Sequence, residues 1–273
     1  MNRIDTLFAR LKSKGRKALM PFVTAGDPDL ATTAALIPEL IRQGASLIEV
    51  GIPYSDPIAD GPVIAASYAR ALRNGVKLGQ IFQTLKTLRA STADTPVNSA
   101  PLVTMVSYAI VYRHGVDRYL AEAADAGVDG LIVPDLPVEE AASLVKLATA
   151  AHLKLIQLVT PTTPPERALQ IARTTTGFLY YVSVAGITGE RKEFPPELAT
   201  KVAWLRERTD LPICIGFGVS TPEHVKLLSP FADGLIVGSA IVRRLEAANT
   251  RPHAEIVHEI GQFVGELADG LKV

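Results

Sequence analysis

Short runs of apolar residues alternate along the chain with longer stretches in which apolar residues recur every three or four positions. Each short run is mostly β-branched or apolar and is bounded by Gly, Pro or Asp, a pattern that predicts β-strands. Strands are predicted at Ala18–Thr24, Leu47–Gly51, Leu102–Val106, Gly130–Pro134, Leu153–Val159, Phe178–Val182, Pro212–Gly216 and Gly234–Gly238. Helices are predicted between them, for example at Leu30–Gln43, Val116–Ala126, Val138–Ala151 and Pro196–Arg208.

Eight βα units in 273 residues predict an α/β fold, a closed (β/α)8 TIM barrel formed as a single domain by residues 1–273. The alternative is an open, doubly wound sheet, which normally carries a G-x-G-x-x-G turn after its first strand. The turn here is Ala25-Gly26-Asp27-Pro28, which lacks that motif. An extra N-terminal helix, Asn2–Leu11, has its apolar side chains on one face, and we expect it to cover the N-terminal mouth of the barrel.

Composition limits the classes of partner. Basic and acidic residues number 28 each, so the formal net charge is zero, and nothing indicates a nucleic acid or an anionic membrane surface as a partner. The single cysteine, Cys214, lies in an apolar run and is interpreted as core packing rather than as a catalytic thiol. The chain has no apolar run that could span a bilayer and no signal-peptide pattern at its N-terminus, so we expect a cytoplasmic protein.

The segment Glu49–Pro62, which reads EVGIPYSDPIADGP, follows the second predicted strand and is the most informative part of the chain. It contains three acids and no lysine or arginine. Active sites in TIM barrels lie at the carboxyl ends of the strands, so these acids are candidates for proton transfer. Because side chains alternate along a strand, Leu47, Glu49 and Gly51 are expected to face the barrel interior.

The two acids Glu49 and Asp60 are expected to differ in protonation. Glu49 would lie in an apolar interior, where desolvation raises its pKa and lets it exchange protons near neutral pH. A buried glutamate paired with an arginine or lysine is the competing interpretation. Asp60, on a more polar loop, is expected to stay ionised and to accept a hydrogen bond from a substrate. The same carboxylates could instead hold a divalent metal ion.

Other residue types at the strand ends narrow the chemistry. No lysine ends a predicted strand, which argues against a Schiff-base aldolase. No histidine does either, which argues against a histidine-bound zinc site.

Two glycine-containing turns form a candidate phosphate site. Gly216-Phe217-Gly218 follows the seventh predicted strand, and Gly238-Ser239 follows the eighth and begins a helix. Glycines allow close backbone approach, and free N–H groups at a helix start attract anions. Glycines that serve only tight turns are the alternative.

After the sixth predicted strand, Val184–Glu193 is interpreted as a mobile lid or as a plain surface loop.

Over nearly the whole chain, these segments resemble the tryptophan synthase alpha subunit. The resemblance is carried by Pro21–Pro28, Glu49–Pro62, Ala185–Gly189 and Gly216–Gly218, with further matches at Asp135–Pro137 and Gly238–Val242. It implies a carbon–carbon lyase that splits indole-3-glycerol phosphate by a retro-aldol reaction into indole and glyceraldehyde 3-phosphate, in the last steps of tryptophan biosynthesis. It also implies that this reaction needs no cofactor and no metal.

The resemblance assigns roles to individual residues. Glu49 is implied to be the general acid–base, and Asp60 to hold the indole N–H. The implied substrate-binding residues are Phe22, Tyr180, Thr188, Gly189, Gly218, Gly238 and Ser239.

The resemblance also implies a protein partner. That partner is a pyridoxal-phosphate beta subunit, assembled as an α2β2 heterotetramer and contacted through Pro53 and Asp56. Two departures from the family pattern concern this docking surface. Ser107-Tyr108-Ala109-Ile110 stands where Tyr-x-Asn-Pro is frequent, and Tyr54 stands where phenylalanine is common.

Two other functions stay open. Another phosphate-binding barrel, such as an isomerase or cyclase, would predict a lysine or histidine at a strand end, and the chain has neither there. A catalytically silent barrel that only binds and activates a beta-type partner is the third hypothesis.

Overall fold

In a computed structural model, residues 2–57, 60–91, 96–183 and 197–272 are described, apart from the side chains of residues 96, 97 and 249. The strands are β1 (Ala18–Thr24), β2 (Ile48–Gly51), β3 (Leu102–Met105), β4 (Gly130–Ile132), β5 (Lys154–Ile156), β6 (Leu158–Val159), β7 (Leu179–Val182), β8 (Ile213–Gly216) and β9 (Gly234–Val237). The helices are α1 (Arg3–Ser13), α2 (Leu30–Arg42), α3 (Pro62–Arg73), α4 (Leu78–Ser91), α5 (Pro96–Ser99), α6 (Tyr108–His114), α7 (Val116–Asp125), α8 (Val138–Ala150), α9 (Pro165–Thr174), α10 (Leu198–Arg206), α11 (Pro222–Leu228), α12 (Ser239–Leu245) and α13 (His253–Asp269), with a 3-10 turn at Glu246–Asn249.

The strands form a parallel sheet that closes on itself, which confirms the predicted (β/α)8 TIM barrel. Their order is β5-β4-β3-β2-β1-β9-β8-β7-β6. β5 pairs with β4 and β6 pairs with β7, so the two short strands are consecutive halves of one segment that joins the edges of the sheet. The predicted strand Leu153–Val159 is therefore interrupted. Its interruption is Gln157, whose buried amide Nε2 donates to Thr174 Oγ1 at 2.9 Å.

Side chains of the strands alternate between two apolar layers. Ile48 and Val50 pack in the outer layer, between the strands and the helices. Leu47 packs in the inner layer with Met20 and Ile236, inside the barrel. This separation confirms the predicted alternation along the second strand.

Helix α1 closes the N-terminal mouth of the barrel, as its amphipathic pattern predicts. Its buried face joins the inner apolar layer, and Phe8 packs on Phe178 with ring centroids 5.7 Å apart. Asn2 caps the helix by accepting from the Ile4 N–H at 2.9 Å. The Asn2 side-chain amide also donates to the carbonyls of Asp129 and His152, at 2.8 and 2.9 Å. These hydrogen bonds attach the helix to residues that precede β4 and β5.

The closed mouth also contains a buried carboxylate. Asp129 is only 3% exposed. Its two oxygens accept from Arg3 and from Arg89, each at 2.9 Å, and Oδ2 also accepts from the Leu102 N–H at 2.9 Å. Both oxygens therefore have charged hydrogen-bond donors, which is what a buried carboxylate requires.

Across the described part of the chain, we find no helix with the length and apolar character needed to cross a membrane.

Candidate active site

A cleft at the carboxyl ends of the strands, opposite α1, brings most of the predicted site residues together. It contains about 470 Å³ of space unfilled by atoms. It is lined by Phe22, Glu49, Asp60, Ile64, Met105, Tyr180, Phe217, Gly218, Val219, Ile236, Gly238 and Ser239. Six predicted site residues therefore line the same cleft as Glu49. They are Phe22, Asp60, Tyr180, Gly218, Gly238 and Ser239.

Glu49 lies inside the barrel, at the register position between Phe22 on β1 and Val103 on β3. The residue is 1% exposed. Its Oε2 atom has no hydrogen-bond partner among the described residues, and the ion pairs of that part of the chain include none to Glu49. Burial, and to a smaller extent the charge of Asp60, raise the pKa of Glu49 to about 8. The expected upward shift is thus present, and the competing interpretation of a paired glutamate is not supported.

Asp60 lies at the end of the loop that leads from β2 into α3. Asp60 is half-buried, and this burial raises its pKa to about 6, a shift that was not predicted from the sequence. The Tyr54 hydroxyl donates to Asp60 Oδ2 at 3.1 Å and opposes that rise. Asp60 is still the stronger acid of the pair. Near pH 7 it is therefore mostly ionised, whereas Glu49 is mostly protonated.

Two aromatic side chains come close to the strand backbone at positions that are occupied by glycine. A Cβ atom on Gly51 would overlap the ring of Phe22, and one on Gly216 would overlap the ring of Tyr180. Tyr180 also meets Phe217 edge to face, with centroids 5.9 Å apart. The glycines therefore leave room for flat apolar surfaces on both sides of the cleft.

The turn after β8 and the start of α12 form the polar end of the cleft. Phe217 and Gly218 both have left-handed backbone angles, with φ of 72° and 81°. The Ser183 hydroxyl donates to the Phe217 carbonyl and holds this turn against the end of β7. Gly238 and Ser239 face the turn across the cleft, at the beginning of α12.

Other predicted site residues are not among the described residues that line the cleft. Thr188, Gly189 and the proposed lid Val184–Glu193 are outside the described residues. Of the predicted partner contacts, Pro53 is buried in this chain, and Asp56 is exposed with its Oδ2 accepting from Ser55 at 2.8 Å.

The departure after β3 has a local structural role. Ser107 caps α6 and donates to Asp135 Oδ2 at 2.6 Å, and the Tyr108 N–H donates to Asp135 Oδ1 at 2.7 Å. The run therefore couples the loops after β3 and β4.

Some cleft residues were not predicted from the sequence. Met105 and Ile236 occupy inward positions of β3 and β9, so the alternation of the strands could have identified them. Ile64 carries no comparable signal, because it lies on α3, where it packs with Tyr68 and Phe22. No cluster of three or more His, Cys, Asp or Glu suited to a metal ion occurs in the described part of the chain.

Comparisons with known proteins agree with this geometry. The family described as "Tryptophan synthase alpha chain" matches residues 8–272. The tryptophan synthase alpha chain of Rhodopirellula baltica is 50% identical over 278 residues, covering 99% of both chains. Tryptophan synthase subunit alpha of Legionella pneumophila superposes with a TM-score of 0.88 at 33% identity, covering 100% of this chain and 99% of that one. A chain of the tryptophan synthase complex of Pyrococcus furiosus gives a TM-score of 0.82 at 38% identity, covering 93% and 98%. The chain therefore belongs to the tryptophan synthase alpha chain family.

Proposed function

We propose that Glu49 and Asp60 divide the proton chemistry by which the protein, a carbon–carbon lyase of this family, cleaves indole-3-glycerol phosphate to indole and glyceraldehyde 3-phosphate. The observation that carries the proposal is the difference between two carboxylates in one cleft. Their pKa values are raised to about 8 and about 6, so one keeps its proton near pH 7 while the other is mostly charged. Separated pKa values are the usual basis for distinct acid and base roles.

In the proposed reaction, Glu49 gives its proton to the indole ring carbon that carries the side chain. Positive charge then develops on the ring nitrogen, and the Asp60 carboxylate accepts the ring N–H hydrogen bond and stabilises that charge. The electrons of the carbon–carbon bond return to the ring as the bond breaks. The side-chain hydroxyl loses its proton to the Glu49 carboxylate, which forms the aldehyde and restores the starting acid.

The walls of the cleft suit the two ends of this substrate. Phe22 and Tyr180 offer apolar surfaces for the indole ring. The backbone at Gly218, Gly238 and Ser239 offers N–H groups to the phosphate, at the position where barrels of this class bind phosphates. Thr188 and Gly189 belong to the proposed site through the family resemblance.

The same proposal includes a beta-subunit partner. Its support is the family and the Pyrococcus furiosus relative, which was solved as a tryptophan synthase complex. We place the loop that carries Pro53 and Asp56 at the contact and propose an α2β2 assembly in the cytoplasm. Pyridoxal phosphate belongs to the beta subunit in this family, and the proton chemistry above uses only side chains of this chain.

The test is an indole-release assay on the purified protein, with indole-3-glycerol phosphate and with or without a beta subunit. We expect indole from the parent and from the control Glu207→Gln, which changes an exposed glutamate. We expect almost none from Glu49→Gln, although it should still bind the beta subunit. Cleavage by Glu49→Gln at the parent rate would disprove the acid–base role, and a parent inactive with and without beta would favour the silent-barrel hypothesis.

A further inference from the structure

Three buried side-chain oxygens have no hydrogen-bond partner among the described residues, and two of them lie beside the same strand. They are Glu49 Oε2, the Tyr68 hydroxyl and the Tyr181 hydroxyl. Buried polar atoms are almost always paired, so an unpaired one at a reactive site calls for a functional explanation. Tyr68 lies on α3, the helix that begins directly after Asp60, and it is fully buried.

The Tyr68 hydroxyl reaches the inner side of β2. It lies 2.9 Å from the point that a Cβ atom of Gly51 would occupy. Gly51 and Glu49 are on the same face of β2, one strand period apart. The missing side chain of Gly51 therefore leaves space for the phenol beside the face of β2 that also carries Glu49.

The titratable groups around this phenol are acids. Asp60 on the loop, Tyr54 after β2 and Glu49 on β2 all face Tyr68 and raise the pKa of its hydroxyl, after burial itself. Tyr180 faces Glu49 from β7. Asp135 acts on Tyr54 from the loop after β4. The Tyr68 O–H has no acceptor among the described residues, so it is available to donate towards Glu49 once that carboxyl has given up its proton.

We propose that Tyr68 is a positioning residue whose hydroxyl donates a hydrogen bond to the Glu49 carboxylate once Glu49 has transferred its proton. The proposal rests on the acid–base role of Glu49. Tyr68 keeps its own proton throughout, because burial raises the pKa of the phenol well above its ordinary value. A donor to the ionised form stabilises that form and lowers the pKa of Glu49. Tyr68 thereby makes Glu49 a stronger acid than burial alone would allow.

The experiment compares Tyr68→Phe with the matched control Tyr181→Phe. Tyr181 also has a buried, unpaired hydroxyl, but it faces the outer apolar layer, away from the cleft. The pKa of Glu49 is followed by infrared titration of the free enzyme, using the carboxyl signal that disappears in Glu49→Gln. Indole release is measured across the same pH range, and unfolding is measured in urea.

For Tyr68→Phe we expect the pKa of Glu49 to rise by about one unit, which is a tenfold change in proton affinity. We expect kcat to fall about tenfold with KM little changed, and the urea midpoint to stay at or above that of the parent. Tyr181→Phe should leave the titration and kcat unchanged. Replacing Tyr68 by a ring-fluorinated tyrosine keeps its shape and strengthens the donor, so it should lower the pKa of Glu49.

An unchanged pKa of Glu49 in both Tyr68 variants would overturn the inference. A shift in the titration of Asp60 instead would also overturn it, because the hydroxyl would then serve the other carboxylate. These outcomes are separate from failure of the proposed function, which is reported by Glu49→Gln. If Glu49→Gln is inactive while Tyr68→Phe behaves as the parent, the acid–base role stands and the inference about Tyr68 falls.

Discussion

The two ends of the barrel each bury a carboxyl group, and the two groups differ in their hydrogen-bond and ion-pair partners. At the closed end, Asp129 accepts from two guanidinium groups and a backbone N–H. At the open end, one oxygen of Glu49 has no partner among the described residues, and another acid, Asp60, adds to the rise in its pKa. Burial of a charge is tolerated when it is paired and is costly when it is not. The closed end thus fixes its carboxylate with ion pairs and hydrogen bonds, whereas the open end keeps its carboxyl ready to exchange a proton.

The largest effect should come from replacing the acid by its amide at each end. Glu49→Gln should lower the rate of indole release by about 10²- to 10⁴-fold, the usual contribution of a general acid–base. Asp129→Asn should change the rate little, since Asp129 lies at the opposite mouth. Rates per folded molecule, measured for both variants, test the contrast, and equal losses would remove it.

The next largest effect is on stability, and here Asp129→Asn rather than Glu49→Gln should show the larger loss. Asp129→Asn should lower the free energy of unfolding by about 3–5 kcal/mol, because it leaves the buried guanidinium of Arg89 without its charged partner. Glu49→Gln should cost little, because Oε2 has no hydrogen bond to lose within the described part of the chain. Urea unfolding of the two variants at pH 7 measures this. A Glu49→Gln variant as unstable as Asp129→Asn would contradict the distinction between the two ends.

A smaller loss is expected from the helix that closes the barrel. Phe8→Ala should destabilise the protein by about 3 kcal/mol, because it removes a buried ring that packs on Phe178. The control is Leu227→Ala, which truncates an apolar side chain that is 55% exposed. Thermal and urea unfolding should separate the two clearly. Similar values for both would mean that α1 is not part of the cooperative unit.

The smallest expected effect, taken per pH unit, is a dependence of stability on pH that comes from Glu49. Its pKa is raised on folding from 4.5 to about 8, so the folded protein binds the proton more tightly than the unfolded chain. The resulting stabilisation is fully present below pH 4.5 and is lost as the pH rises towards 8. Between these values the parent should lose at most about 1.4 kcal/mol per pH unit relative to Glu49→Gln. A stability difference between the two proteins that stays constant with pH would contradict the raised pKa.

Sequence alone predicted the fold and several of the residues that line the cleft. The alternation of apolar residues identified the strands, and the same period placed Leu47 and Glu49 inside the barrel. This succeeded because the period of a strand is a local property of the chain. The division of Leu153–Val159 was missed, since it depends on a hydrogen bond between Gln157 and a threonine at the end of α9.

The environment of Asp60 could not be predicted from neighbouring residues. Its loop contains polar residues, yet folding partly buries the side chain and raises its pKa to about 6. Tyr68 was missed for a similar reason. It lies one helical turn after Ile64 on the buried face of α3, a spacing that indicates ordinary packing. Its closeness to Gly51 arises only when α3 packs against β2.

The attachment of α1 has a consequence for the order in which the protein is built. This helix precedes every strand and so leaves the ribosome before them. Its binding sites, however, include Phe178 and the carbonyls of Asp129 and His152, which belong to the middle of the chain. Contacts between distant parts of a sequence form late, because closing a long loop costs entropy. During synthesis the apolar face of α1 therefore remains exposed to solvent until well over half of the polypeptide has emerged.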